Sequence, residues 1–384
     1  MTNKISECRD VCSFCGEKDT LEKLFTLNNF PVFMGCTNET RDLDLFQDMS
    51  FAICKRCGGV QLDPYVSPSV VYKNSHGSGT VGKSWAMHHT ELSKFILKYA
   101  PNEVFEVGAS HNFLAQNYLV KNPNATWCIV DPNVDKNEDK ISNLKHKKGF
   151  FSLSYESDRK YDCIVHSHTF EHFINIRLIT QKFFDILNDD GLMIFSVPNL
   201  QSHYDYLYTN VMNFEHTIFL SENAVDTVLK NCGFVIEEKK YYQNNHSIFY
   251  CCRKKPNLKQ NLLHNMYHIN KSSLIKWYDH HVNLVNSLNK KINTSDKDLF
   301  LFGAHVTSQF LLNFGLNKEK IVCILDNDKN KQGQRLYGTD LLCKSPADAL
   351  TNNSGAVILR GGVFSKNIQD DILNNISEDI EFIM

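Results

Sequence analysis

The rhythm of hydrophobic and polar positions divides this chain into four stretches. Up to about residue 70, apolar runs are short and broken by turn residues. Residues 84–99 are good helix formers ending before the break at Pro101, so 71–100 reads as a helical connector. From Val104 to about Lys254, short apolar runs alternate with amphipathic ones. Strands are predicted at 104–107, 127–130, 161–165 and 192–197, the last after the turn 188–191, and helices at 113–120 and 178–187. Alternation of this kind predicts a parallel sheet covered by helices on both faces. Residues 256–298 are polar and rich in Asn and Lys, with a helical pattern through 274–288. Alternation then restarts, with strands at 298–302, 321–325 and 356–359 and a helix at 306–314.

At 384 residues, one compact core is too little. The chain reads as α/β, in three units. A small cysteine-bearing module spans 1–70. A central Rossmann-like unit spans 71–255, and a smaller Rossmann-like unit, entered through a helical linker, spans 256–384.

Composition narrows the partners. Charge is nearly balanced at −2, so nothing global draws the chain to nucleic acid or an anionic membrane. No basic stripe with interleaved aromatics occurs, and the charged patch 145–148 reads as solvated surface. No apolar run is long enough for a bilayer, and the first ten residues are polar, without a signal peptide. Thirteen cysteines, an odd number, sit in apolar runs or close pairs, which fits a reducing cytoplasm better than a disulfide framework. A small-molecule substrate is expected; the oligomeric state stays open.

Cys12-x-x-Cys15 and Cys54-x-x-Cys57 are two knuckles about forty residues apart. Each turn puts two sulfurs on one side of a tight loop, and two turns complete a tetrahedral four-thiolate zinc site. Gly16 and Gly58 follow the knuckles, where a permissive backbone lets amides turn toward the sulfurs. Four thiolates leave no open position, so the expected zinc is structural.

Candidate chemistry in the middle stretch starts at Glu106-Val107-Gly108-Ala109-Ser110, after the first strand. Asp131 ends the next strand, about twenty residues on. A glycine there allows close backbone approach, and a carboxylate ending the second strand can accept both ribose hydroxyls. The dinucleotide pattern G-x-G-x-x-G is absent, so one Glu, one Gly and one Asp fit an adenosyl donor better than NAD. The alternative for Asp131 is a helix N-cap. The segment 168–172 reads H-x-x-E-H, an inverted zinc-protease pattern that belongs within a long helix. Here it directly follows the strand at 161–165, so His168 is placed in the turn, beside the methionine part of the methyl donor. Glu171 and His172 are placed at the start of the next helix.

Taken together, the two CxxC knuckles, Glu-x-Gly, Phe-Glu-His at 214–216 and a C-terminal Gly-Ala/Asp unit resemble the zinc-containing sugar C-methyltransferases of deoxysugar biosynthesis. The resemblance runs over nearly the whole chain, including Phe30-Pro31-Val32, residues 57–62 and the connector from Tyr72 to His89. It implies a class I methyltransferase domain that binds S-adenosylmethionine, with Tyr72, Glu106, Gly108, Ser110, Asp131 and His168 around it. It implies a nucleotide-linked 4-keto-6-deoxysugar as substrate, methylated on a carbon beside the ketone. Such a carbon must lose a proton before it is nucleophilic. His216 is the expected base, with Glu215 orienting it or binding a sugar hydroxyl.

Three positions depart from the family pattern. Asn213 stands where a tyrosine is usual, Asn244-Asn245-His246-Ser247 where the family has Gly-Gly-Ser, and His111-Asn112 where it has Asp-Gly. Two rival readings follow: an O- or N-methyltransferase of a nucleotide sugar or other polar metabolite, and a non-catalytic scaffold retaining the fold. A structural role is the alternative for His216. In the last unit, Gly303-Ala304-His305 and Leu325-Asp326-Asn327 repeat the strand–Gly–helix–strand–Asp order, read as a degenerate copy that helps hold the sugar nucleotide.

Overall fold

The computed structural model describes residues 5–72, 83–109, 111–133, 141–258, 260, 262–351 and 354–384. Ser110, one of the expected cofactor residues, lies outside them.

The middle stretch folds into a seven-stranded sheet. Its order is Phe234–Tyr242, Ser247–Lys254, Leu187–Pro198, Tyr161–Ser167, Glu103–Val107, Thr126–Asp131, Leu144–Lys148. The five strands from Leu187–Pro198 to Leu144–Lys148 are parallel. Ser247–Lys254 is antiparallel to both its neighbours. The sheet is therefore mixed, where alternation predicted parallel strands alone. A hairpin causes this: Gln243, Asn244 and Asn245 all have positive φ, which reverses the chain without a crossover helix. The charged patch 145–148 is solvent-facing and belongs to the edge strand Leu144–Lys148, the place in a sheet that tolerates lysines.

Alternate residues of each strand face opposite ways. Phe105, Val107, Ile164 and Phe195 pack with Ile179 and Phe183 of helix Ile176–Ile186 and Val228 of helix Glu222–Asn231. Val104, Val165 and Ile194 pack on the other face with Phe95 of helix Lys83–Leu97 and Leu114 and Tyr118 of helix Phe113–Leu119.

The first stretch forms an antiparallel sheet of Leu21–Pro31, Phe46–Cys54 and Val60–Leu62, extended by Ile218–Phe219 from the middle of the chain. The last stretch forms five parallel strands, ordered Cys343–Lys344, Ile321–Leu325, Leu299–Phe302, Ala356–Leu359, Glu381–Ile383. Helix Tyr267–Asn293, 27 residues long, buries Leu274 and Trp277 against Phe51 and Phe310, and Val285, Leu288 and Ile292 against the last sheet. One cluster thus joins Phe30 and Phe51, Leu200 and Phe214, and Trp277 and Phe310, so the first, middle and last stretches share a core. No helix among the described residues is long and apolar enough to cross a membrane.

Candidate functional site

The two knuckles converge. Cys12 Sγ lies 3.7 Å from Cys57 Sγ, and Cys15 Sγ 3.7 Å from Cys54 Sγ. Four sulfurs about 2.3 Å from a tetrahedral ion stand about 3.8 Å apart, so the set fits zinc. Gly16 and Gly58 both have φ of +78°. The Gly59 amide and the Gln61 side-chain amide point at the Cys57 and Cys12 sulfurs, at 3.4 and 3.5 Å. A Cβ on Gly58 would also lie 2.4 Å from the backbone of Met266 and Tyr267, where the long helix begins.

Three adjacent parallel strands end side by side at Val107, Asp131 and Ser167. This is the sheet's switch point, the edge where open α/β folds bind ligands. Asp131 is 7% exposed, and among the described residues only the Asn133 amide donates to it, at 2.7 Å. That bond is a turn two residues on, not a helix cap. Burial raises the Asp131 pKa.

Glu106 lies beneath, 3% exposed, accepting from Trp127 Nε1 at 2.7 Å; burial pushes its pKa up to about 8, and the Asp131 charge adds to the rise. It braces the strands rather than opening to a ligand. Gly108 is also placed differently than expected. Its amide donates to Val130 O at 3.0 Å, and a Cβ on it would meet the Thr169 side chain at 2.6 Å. Positive φ (+76°) and the packing of two loops require this glycine, not close approach of a ligand to its amide. His168, with φ of +49°, contacts Ser247 Oγ through Nε2 at 3.0 Å, and its Nδ1 is 3.4 Å from Glu171 Oε1. Ser247 belongs to the hairpin that departs from the family pattern.

Glu171 and His172 lie in a one-turn 3-10 helix, Phe170–His172, set apart from the α-helix that starts at Ile176. The loop 213–217 comes alongside, bringing one atom each of Glu171, His172 and His216 within 4.8 Å of one another. His216 Nδ1 bonds Val211 O at 2.8 Å, so this carbonyl, not Glu215, orients the ring. Asn213 is buried with its side chain turned into the backbone. Its Oδ1 accepts from the Glu215 and His216 amides, and its Nδ2 donates to Asn210 O. It shapes the loop and supplies no acid or base where the family pattern has tyrosine.

Tyr72, expected beside the cofactor, sets its hydroxyl 2.6 Å from His172 Nδ1 and so joins this cluster. Its pKa is raised well above normal, first by burial and then by the charges of Glu215, Glu171 and Asp131. Burial lowers the His216 pKa to about 3, while Glu171 pulls it upward. Glu171 is the residue that sequence reasoning missed. Its signal was the second half of H-x-x-E-H, set aside with the protease reading.

Residues 85–239 match the family model described as a methyltransferase domain. The middle of the chain is a methyltransferase domain. The match takes in the strand ends, Asp131 and the histidine cluster, and leaves out the knuckles, Tyr72 and the last sheet. No curated protein matches the chain.

Among solved structures, a putative O-methyltransferase from Nostoc punctiforme is 16% identical over 44% of this chain and 56% of its own, with a TM-score of 0.38. The N-methyltransferase NodS from Bradyrhizobium japonicum is 14% identical over 44% of this chain and 95% of its own, at 0.35. Human N-acetylserotonin methyltransferase, in complex with SAM, is 10% identical over 45% of this chain and 53% of its own, at 0.39. This chain thus spans little more than half the length of the first and third.

Proposed function

We propose that the protein moves a methyl group from S-adenosylmethionine to a carbon beside the ketone of a nucleotide-linked deoxysugar, with a structural zinc in the four-thiolate module. The observation that supports it most is the group of half-buried Tyr72, His172 and His216 around buried Glu171, at the same sheet edge as Asp131. In this reading Asp131 holds the ribose hydroxyls. His216, with Nδ1 engaged by Val211 O, offers Nε2 to take the proton beside the ketone. The hydroxyl of Tyr72 donates to the enolate oxygen. The carbon then attacks the methyl group, S-adenosylhomocysteine leaves, and the proton passes from His216 to solvent. Glu171 offsets the imidazolium charge while it lasts.

His216→Asn should keep methyl-donor affinity and lose about 10²–10⁴-fold in turnover, the usual worth of a general base. The native protein, with S-adenosylhomocysteine in place of the methyl donor, should exchange the substrate α-proton with deuterated water. Absence of exchange, with methyl found on oxygen or nitrogen, would favour the second reading, a heteroatom methyltransferase. The locked Asn213 side chain supports that reading, because it supplies no acid where the family pattern has tyrosine. Metal analysis should find one zinc per chain, lost on Cys54→Ser; a zinc-free preparation of full stability would remove the zinc from this proposal.

A further inference from the structure

We propose that Glu171, His172 and His216 form a second divalent-cation site, separate from the four thiolates and of the two-imidazole, one-carboxylate kind. These and the four cysteines are the two groups among the described residues whose ligand atoms cluster closely enough for a metal.

Three observations carry this. First, Glu171 is 2% exposed, and neither carboxylate oxygen has a hydrogen-bond partner among the described residues. A buried carboxylate without partners is costly, and a cation is a partner that removes the cost. His168 Nδ1 comes to 3.4 Å of Oε1 without completing a hydrogen bond. Second, both imidazoles are already held through Nδ1, His172 by Tyr72 Oη at 2.6 Å and His216 by Val211 O at 2.8 Å. Metal-bound histidines are commonly fixed in this way, and the nitrogen left over on each ring is Nε2. Third, the rings stand edge to face with centroids 4.9 Å apart, so they are not stacked against each other.

One donor atom of each residue already lies within 4.8 Å of the others, and ligand atoms about 2.1 Å from an ion stand about 3 Å apart, so binding draws the three groups together. Imidazole and carboxylate without thiolate suit manganese, iron or cobalt, and three protein ligands leave positions for oxygens of a bound molecule.

One consequence rests on the proposed function. The lone pair that would bind the cation is the one that His216 would use to take a proton. Cation and proton therefore compete, and occupancy slows methyl transfer. The binding itself does not depend on that reading.

Mn²⁺ separates the two sites, because four thiolates disfavour this hard ion. Titrating Mn²⁺ into full-length, zinc-replete protein, with free Mn²⁺ followed by electron paramagnetic resonance, should show one bound equivalent. Glu171→Ala and the milder Glu171→Gln should bind at least tenfold more weakly. An unchanged zinc content and near-UV circular dichroism would show that both variants are folded. No Mn²⁺ bound by the native protein, or equal binding by native protein and folded variants, would overturn the site and leave Glu171 a buried acid. Mn²⁺ bound while methyl transfer is unchanged or faster would overturn the competition, and with it the base role of His216. Mn²⁺ bound by a protein that methylates no sugar would sink the proposed function alone.

Discussion

Two sheet edges in this molecule follow the same plan and treat their carboxylates in opposite ways. In the methyltransferase domain, strand Glu103–Val107 runs into Gly108, and strand Thr126–Asp131 ends in the aspartate. In the last unit, strand Leu299–Phe302 runs into Gly303, and Asp326 follows strand Ile321–Leu325. Both glycines have positive φ, and both donate their amide to the neighbouring strand, Gly108 to Val130 O and Gly303 to Leu325 O.

The difference lies in what surrounds the acid. Asp326 accepts from the Ala304 amide, the Asp328 amide and Lys331 Nζ, at 2.9, 2.9 and 3.0 Å. Asp131 has the Asn133 amide and no cation among the described residues. Two positions before the glycine stands buried Glu106 in one edge and buried Leu301 in the other. The last unit satisfies its carboxylate from its own chain and keeps the position beneath apolar. The methyltransferase domain gives its carboxylate one amide and no cation among the described residues, and carries a second acid below. Plan alone does not make a site; what matters is whether the chain fills its own acceptors.

The largest effect should come from that second acid. Glu106 has a folded pKa of about 8 against an ordinary carboxylate near 4.5. The folded state therefore holds its proton more tightly than the unfolded chain. The associated stability is present below about pH 4.5 and is lost as pH rises to about 8. Glu106→Gln keeps an acceptor for Trp127 Nε1 and removes the charge. Its stability should overtake that of the native protein across this window, by an amount reaching about a few kcal/mol by the linkage relation, read as a rise in melting temperature. Parallel melting curves at pH 5 and pH 8 would show that the charge is not buried in solution.

Next comes Asp131→Ala. One charged hydrogen bond is worth about 1.5–3 kcal/mol, so S-adenosylmethionine affinity should fall by roughly 10- to 150-fold. Calorimetry on the folded variant checks this, and unchanged affinity would remove the ribose assignment. A pH series sharpens it. The ribose hydroxyls need the ionised carboxylate, and burial raises the Asp131 pKa. Affinity should therefore drop on acidification at a higher pH than an exposed aspartate would give. In Asp131→Ala that dependence should vanish.

Much of this was legible in the sequence. The CxxC spacing brought four sulfurs together, and the apolar rhythm located the parallel strands and Asp131. What failed was set by contacts remote in sequence. Nothing in residues 145–148 shows that this charged surface is also an edge strand, because pairing with Thr126–Asp131 makes it one. The Gly108 position looks ready for a ligand until Thr169, sixty residues on, occupies the space over it. Asn213 stood in a catalytic column of the family pattern, but its short amide reaches the backbone of its own loop first. Glu171 needed the loop at 213–217 beside it before its carboxylate acquired a role.

The smallest effect, and the one that tests the comparison most directly, is expected of Asp326→Ala. The substitution leaves Lys331 Nζ and the Ala304 and Asp328 amides without their acceptor. Stability should fall by about 1–3 kcal/mol, the cost of unmet partners that water can partly reach. Affinity for S-adenosylmethionine should not change, because Asp326 is filled by its own chain and offers no ribose site. Lys331→Ala should act in the same direction by removing the cation, and still recruit no methyl donor, because two backbone amides continue to hold the carboxylate. Thermal melting and calorimetry on the same samples separate the two quantities. If Asp326→Ala weakens methyl-donor binding as much as Asp131→Ala does, the two edges are alike in function as well as plan. The hydrogen bonds around Asp326 would then be ones that a ligand displaces.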